Sequence, residues 1–395
     1  MNTKEHKKDY IPRTLADTLR NSLEQYPVVT VLGPRQSGKT TFVRTECPDF
    51  AYVNLEDPEW RDLARNDPKT LFSRYPGPLI LDEIQRVPEL LSYIQVLTDA
   101  DRIEGRFILT GSRQASLHEA IAQSPAGRTA VLTLLPLSLA ELGDRCAGVS
   151  RESILHRGFL PRIHARGQEP TGAYRSYFQT YVERDLRSLL MVKDLSKFET
   201  FLRLLAGRAG RLFVASSIAG EIGVSYKTVQ DWVSVLEASY IVFRLPPYHT
   251  SYGKRLIKTP KLYFTEPGLA VYLLGIETPD QVGRNPLFGS LFENMVVSEA
   301  VKARLHHGRD LGMYFFRDSN GNEVDLILDR RPNPYPVEIK ASLTLHKDLF
   351  KGLRTFQGLI PGSPPGCVIY GGDLESSEDG PRFLNFRHTE RLFPD

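Results

Sequence analysis

Residues 28–41 read "VVTVLGPRQSGKTT". An apolar β-branched run, a glycine loop and a helix-forming start follow one another without a gap. "VVTVL" has the composition of a strand buried on both faces, and "TTFVRTE" reads as the opening of a helix. Between them lie Gly33, Pro34, Arg35, Gln36, Ser37, Gly38, Lys39, Thr40 and Thr41, which fit G-x-x-x-x-G-K-[ST]. Strand, loop and helix in that order suit phosphate binding. The glycines let backbone N–H groups converge on an anion, and the helix N-terminus adds a favourable dipole. In this reading Lys39 reaches the β- and γ-phosphates of ATP, and Thr40 ligates Mg²⁺. The plainer alternative is a solvated turn.

A phosphate loop needs an acid on its metal side, at the tip of another strand. "GPLILDEIQRVPELL" offers one: "PLIL" predicts a buried strand, Asp82 follows as a candidate Mg²⁺ ligand, and Glu83 is placed to polarise an attacking water. Adjacent acids after an apolar run also suit a helix N-cap, and the two roles are compatible. A third strand, "RFILTGS", ends on Thr110 and Ser112, candidates for sensing the γ-phosphate. Arg128, in a glycine-containing turn before "TAVLTLL", is a candidate arginine finger acting in cis or toward a neighbouring subunit of a homo-oligomer, or else a surface arginine.

These segments together resemble a large prokaryotic family of AAA+ ATPases, with the same order and spacing along essentially the whole chain. The resemblance implies an α/β fold class: a P-loop NTPase (AAA+) core over 1–145, a helical lid over 146–200, a winged helix-turn-helix over 201–250, and a PD-(D/E)XK, restriction-endonuclease-like domain over 251–395. It implies ATP binding more directly than any cellular role.

The bulk properties agree with a multidomain globular chain. A length of 395 residues predicts two or three domains. A net charge of +3 gives no whole-molecule argument for nucleic acid. No apolar run is long enough to span a bilayer, so no membrane partner is expected. "MNTKEHKKDYIPR" lacks an apolar signal region, which suggests a cytoplasmic location. Cys47, Cys146 and Cys367 are widely spaced and read as reduced thiols.

In the middle of the chain, "YRSYFQTYVERDLRSLLMV" predicts an amphipathic helix whose Tyr174, Tyr177, Phe178 and Tyr181 suit a core better than a base-stacking platform. In the family's pattern it packs as a lid, with Arg184 toward the nucleotide. "SSIAGEIGVSYKTVQDWVSVLEAS" reads as helix, turn, helix, with Gly223 closing the first, Ser225 capping the second, and Val229, Trp232, Val233 and Leu236 at helical spacing. "YIVFRL" follows as a strand. If the unit binds DNA, Tyr226, Lys227, Thr228 and Gln230 would enter the major groove; winged helices also serve as protein-contact spacers. Lys254, Arg255, Lys258 and Lys261 form a basic cluster suited to a phosphate backbone or to plain solvation.

The last 140 residues or so carry a second constellation. Glu293 lies on an otherwise apolar face of the helix in "NPLFGSLFENMVVSEAVKARL". "MYFFRDSNGNEVDLILD" predicts a hairpin turning at Asn320-Gly321, with Asp325 on its second strand. Glu338 and Lys340, two apart in "PYPVEIKAS", share one face of a third strand. Such a set suits a metal-dependent nuclease: Glu293, Asp325 and Glu338 hold Mg²⁺, and Lys340 orients the metal-bound water. The alternative is a salt-bridge cluster around Lys340 in a degenerate nuclease fold. Three functions follow: an ATP-driven enzyme on DNA, an ATP-switched regulatory or scaffold protein without cleavage, or an ATPase-gated nuclease in a defence or toxin–antitoxin role.

Overall fold

The structure is a computed structural model and describes residues 10–112, 128–181, 194–248, 258–376 and 382–394. The first unit is built on a five-stranded parallel sheet. Along the chain come α1 (Leu15–Leu23), β1 (Val28–Leu32), α2 (Lys39–Glu46), β2 (Ala51–Asn54), α3 (Pro58–Asn66), α4 (Pro68–Arg74), β3 (Leu79–Asp82), α5 (Leu90–Ala100), β4 (Phe107–Gly111) and β5 (Thr129–Thr133). The strands lie in the order β2-β3-β4-β1-β5. All five residues of β1, of β4 and all four of β3 are buried, as continuous apolar runs in a parallel sheet require. At ~1.5–3 kcal/mol per buried large apolar side chain, burial of these strands dominates the local energetics. The position of β1 between β4 and β5 therefore fixes where the phosphate loop emerges.

A helical segment follows: α6 (Leu139–Leu142), α7 (Arg151–Arg157), α8 (Pro161–Arg166) and α9 (Pro170–Tyr177). Tyr174, Tyr177, Phe178 and Tyr181 are all core residues here, as expected. Then come α10 (Leu195–Ala206), β6 (Arg211–Leu212), α11 (Ala215–Ile222), α12 (Tyr226–Ala238), β7 (Val242–Leu245) and β8 (Lys261–Phe264). Gly223 ends α11 at φ +69°, and the Ser225 side chain accepts from the Thr228 N–H at 3.0 Å to cap α12. Phe198 and Phe201 pack on Trp232 with ring centroids 5.2 and 5.1 Å apart, which locks α10 to α12. The three strands form an antiparallel sheet in the order β6-β8-β7, with Leu262 opposite Arg211 and Phe264 opposite Val242. β8, which follows the 250/251 boundary in the chain, pairs with β6 and β7, which precede it. Its partners are in the chain before 246, so the sheet closes only after the intervening segment.

The C-terminal unit contains α13 (Pro267–Leu273), α14 (Pro279–Arg284), α15 (Phe288–Leu305), β9 (Met313–Arg317), β10 (Glu323–Leu328), β11 (Tyr335–Lys340), α16 (Lys351–Leu359), β12 (Cys367–Tyr370) and β13 (Arg382–Asn385). Its sheet runs β13-β12-β11-β10-β9: antiparallel from β9 to β11, parallel from β11 to β13. The expected hairpin turn is present, with Gly321 at φ +84° and the Asp318 carboxylate accepting from the N–H groups of Asn320 and Asn322. All three cysteines are free and buried. Among the described residues no helix is long and apolar enough to cross a membrane.

Candidate functional site

The phosphate loop leaves the C-terminal end of β1 and enters α2 at Lys39. Gly33 must be glycine: its φ is +153°, and a β-carbon there would lie 2.1 Å from the Leu134 carbonyl oxygen. Gly38 turns the chain at φ +93° into the helix. The Lys39 ammonium donates to the carbonyls of Gly33 and Pro34 at 2.9 and 2.8 Å, folded back over its own loop. Burial pushes its pKa down to about 8, against the pull of Glu83 and Asp82. Ser37 is fully buried, and its hydroxyl has no hydrogen-bond partner. A buried cation and an orphaned hydroxyl in a ring of backbone are what a bound phosphate would satisfy.

Asp82 closes the metal side. It is buried, and its Oδ2 accepts from the Thr40 hydroxyl at 2.8 Å and from the Tyr52 hydroxyl at 2.7 Å, while the Thr110 hydroxyl donates to Oδ1. Thr40 and Asp82 thus present adjacent hard oxygens of the kind that hold Mg²⁺ alongside nucleotide phosphates. These residues fit the ion. Glu83 follows with φ +59°, a left-handed conformation unusual for a residue with a side chain. Its side chain makes no capping bond to the short 3₁₀ turn Ile84–Arg86. Instead its carboxylate accepts from Gln85 and, at 3.3 Å, from Ser112. The regular helix starts only at Leu90, two residues after Pro88, so the pure N-cap reading of Asp82-Glu83 does not describe the turn.

Arg35, Gln36, Lys39, Thr40, Thr41 and Glu83 share a cavity of about 390 Å³ with Pro161, Arg162 and Tyr181. A neighbouring cavity of about 250 Å³ is lined by Tyr10, Ile11, Arg13, Gly38 and Thr41 on one side and Pro161, Arg162 and Arg166 on the other. Arg162 borders both. Tyr10, Arg13, Tyr52 and Arg162 were not singled out from the sequence; the "IPR" run at 11–13 and the Pro-Arg pair opening α8 were the available signals.

The loop is braced from beneath. Arg13 donates to the Ser37 carbonyl at 2.9 Å and the Leu135 carbonyl at 2.6 Å, and pairs with Glu141 at 3.1 Å. The Glu141 carboxyl sits far below the usual carboxylate range. Burial opposes this; Arg13 and then His306 impose it. His306 lies 3.2 Å from Glu141 at the C-terminal end of α15. Burial lowers its own pKa. The same helix sends Glu299 to the Leu139 N–H at 2.6 Å and the Lys302 ammonium to the Leu137 carbonyl at 2.8 Å, 3.7 Å from the centre of the Phe159 ring.

Arg128 is not brought to this site within the chain. It precedes Thr129, which pairs with Val28 at the start of β1, whereas the loop leaves the far end of β1 after Leu32. Five residues of strand, ~16 Å, separate them. Arg128 is ion-paired with Asp99 instead. Of the four α12 residues read as candidate DNA contacts, Tyr226 is 57% exposed and Lys227 is exposed, while Thr228 and Gln230 are half-buried; the Gln230 amide donates to the Tyr226 hydroxyl at 2.9 Å. Lys258 is exposed. Lys254, Arg255 and Arg184 lie outside the described residues. Lys261 does not belong to a solvated basic cluster, since only 2% of it is exposed.

In the C-terminal unit, Asp325, Glu338 and Lys340 meet on β10 and β11. Lys340 donates to Glu338 at 2.6 Å and to Asp325 at 3.1 Å, and the Ile339 N–H donates to the same Asp325 oxygen at 2.9 Å. Burial would raise the Asp325 carboxyl, but Lys340 and then Lys261 hold it below its usual value. Glu338 is raised, by burial and by Asp325. Glu293 is turned to other partners, accepting from Lys261 at 2.9 Å and from the Tyr263 hydroxyl at 2.7 Å. Lys261 stands between Glu293 and Asp325, 2.9 Å from the first and 3.9 Å from the second. Among the described residues no group of three or more His, Cys, Asp or Glu side chains is disposed to hold a metal ion; the cations at these carboxylates are Lys340 and Lys261.

Residues 25–143 match the family described as "AAA domain", 150–280 a domain of unknown function, DUF8612, and 288–388 another, DUF4143. The uncharacterized protein Rv2008c of Mycobacterium tuberculosis is 32% identical over 337 residues, covering 84% of this chain and 74% of its own length; Mb2031c of Mycobacterium bovis matches to the same extent. The chain belongs to the family of these mycobacterial proteins, and its first unit is an AAA-family ATPase domain. Among solved structures, it is similar to a Walker-type ATPase of Pyrococcus abyssi, at 15% identity over 66% of this chain and 94% of that one with a TM-score of 0.40. RuvB of Thermotoga maritima is similar at 18% identity over 59% and 89%, with a TM-score of 0.31.

Proposed function

We propose that this protein binds ATP with Mg²⁺ and hydrolyses it, and that turnover drives a conformational switch. The observation that carries this reading is the meeting of Thr40 and Asp82 beside the buried Lys39, with Glu83 next in the chain. Lys39 exchanges its loop carbonyls for the β- and γ-phosphate oxygens. The loop N–H groups and Ser37 complete the cradle, and Thr40 and Asp82 would hold Mg²⁺, which would neutralise phosphate charge. Glu83, positioned by Ser112 and Gln85, takes the proton of the attacking water. Thr110 fixes Asp82, and Arg162 offers positive charge from across the cavity. The test is Glu83→Gln: ATP should stay bound while phosphate release stops.

For the rest of the chain, the ATP-switched binding protein is favoured over the metal-dependent nuclease, because Lys261 brings a second ammonium to Glu293 and Glu323 beside Asp325, where a catalytic ion would sit. The three helices and small sheet over 195–264 are read as a winged helix, with Tyr226 and Lys227 reaching toward duplex DNA. Plasmid and single-stranded DNA incubated with the protein in Mn²⁺ should remain intact. Cleavage lost in Asp325→Ala would restore the nuclease reading.

A further inference from the structure

The side chain of Lys261 leaves its own sheet. Its backbone pairs with β6 and β7, opposite Leu212 and Leu245. Its ammonium enters the C-terminal unit, 2.6 Å from Glu323, 2.9 Å from Glu293 and 3.9 Å from Asp325, beside the Phe315 ring. This is the surrounding expected of a cation bound by carboxylates. On the other side of Asp325, Lys340 takes Oδ2 and Glu338. The two lysines supply the charge of one divalent ion and spread it over four carboxylates. They also take one oxygen each of Glu293, Glu323, Asp325 and Glu338, in the space where such an ion would sit at ~2.0–2.6 Å from its ligands.

We propose that Lys261 is a built-in counter-cation that takes the place of a divalent metal, and that the C-terminal carboxylate site is closed to metal while β8 remains paired with β6 and β7. The buried carboxylates require a cation nearby. Here the chain provides it, from a strand that belongs to the preceding unit. The site is thereby made conditional on how the two units are seated. Withdrawing β8 would leave Glu293, Glu323 and Asp325 facing one another without their ammonium, and a divalent ion is the natural replacement. This inference does not depend on the ATPase reading.

The experiment is a Mn²⁺ titration followed by electron paramagnetic resonance on nucleotide-free full-length protein, in an Asp82→Asn background that removes the phosphate-loop acid. With Lys261 present, the free Mn²⁺ signal should track the added ion up to millimolar concentration. Lys261→Met should take up about one ion per chain and gain thermal stability with Mn²⁺. Adding Asp325→Asn should abolish both effects. Uptake by the Lys261-containing protein that is lost on Asp325→Asn would overturn the proposal. So would a Lys261→Met protein with native circular dichroism that takes up no ion. Should Lys261→Met fail to fold, the Lys261-containing arm decides alone, since the proposal requires it to bind none.

Discussion

The Arg13 guanidinium and the Glu141 carboxylate lie 3.1 Å apart with side chains only 3% and 1% exposed, 128 residues apart in sequence. Arg13 also holds the phosphate-loop carbonyl of Ser37. Removing one member of a buried ion pair leaves the other charge uncompensated, at a cost of ~3–5 kcal/mol. Glu141→Ala should therefore lower the thermal midpoint markedly and weaken ATP binding together, although residue 141 touches no nucleotide. A midpoint within a degree of wild type would contradict this.

Lys39 gives a pH dependence with a definite sign. In the nucleotide-free protein its pKa is pushed down to about 8, mainly by burial, whereas its ordinary value is 10.5. Below pH 8 both folded and unfolded chains carry the proton. Between 8 and 10.5 the unfolded chain holds it more tightly, so stability of the empty protein rises with pH across that window. ATP needs the charged form, so binding takes up a proton above pH 8. The ATP dissociation constant should weaken toward tenfold per pH unit from there. Calorimetry from pH 7 to 9.5 checks it, and a flat constant over that range would refute it.

Lys39→Ala should abolish ATP binding with little destabilisation of the empty protein, since it removes a charge whose burial outweighs the pull of Glu83 and Asp82 and whose hydrogen bonds go to loop carbonyls. Equal nucleotide affinity in wild type and variant would remove the basis for the ATP site. Glu83→Gln should behave differently, with affinity little changed and turnover down by ~10²-fold or more, as for loss of a general base.

Gly33→Ala should be far more harmful than Gly77→Ala. The first places a methyl 2.1 Å from the Leu134 carbonyl; the second meets nothing within 4 Å. The expected result is loss of nucleotide binding and a lower thermal midpoint for residue 33 only. Comparable behaviour of the two variants would mean that β1 and β5 can part without consequence.

If α12 contacts duplex DNA, affinity should fall steeply with salt, because phosphate contacts release counterions. Lys227→Ala should reduce the slope of log affinity against log salt by ~1. Salt-insensitive binding, or none, would make this unit a protein-contact module.

The phosphate loop was legible because its chemistry is contiguous: nine neighbouring residues carry strand end, cradle and helix start. Asp82 and Glu83 were legible because they close a buried apolar run. What escaped was assembled across distance. Tyr52 meets Asp82 across 30 residues and Arg13 meets Glu141 across 128. Lys261 looked like part of a solvated cluster, because adjacent charges in sequence suggest a common fate. The fold separated them: Lys258 faces water, and three residues later a strand paired on both edges buries Lys261. Arg128 is set by the same kind of long-range pairing: β5 beside β1 puts it at the end of the sheet away from the phosphate loop of its own chain, which leaves action toward a neighbouring subunit as the form of the finger reading to test.

Helix α15 carries Glu293 near its start and Glu299, Lys302 and His306 toward its end, a span of ~20 Å from Glu293 to His306. One end is tied to β8 and the other to the brace under the phosphate loop. Segments of this chain therefore cannot be traded freely among its relatives. A hybrid joining the ATPase unit of one member to the remainder of another would have to carry residues 13, 141 and 306 from one parent. Residues 261, 293 and 323 would likewise have to travel together, or the hybrid would bury an unpaired charge at one end of α15 or the other.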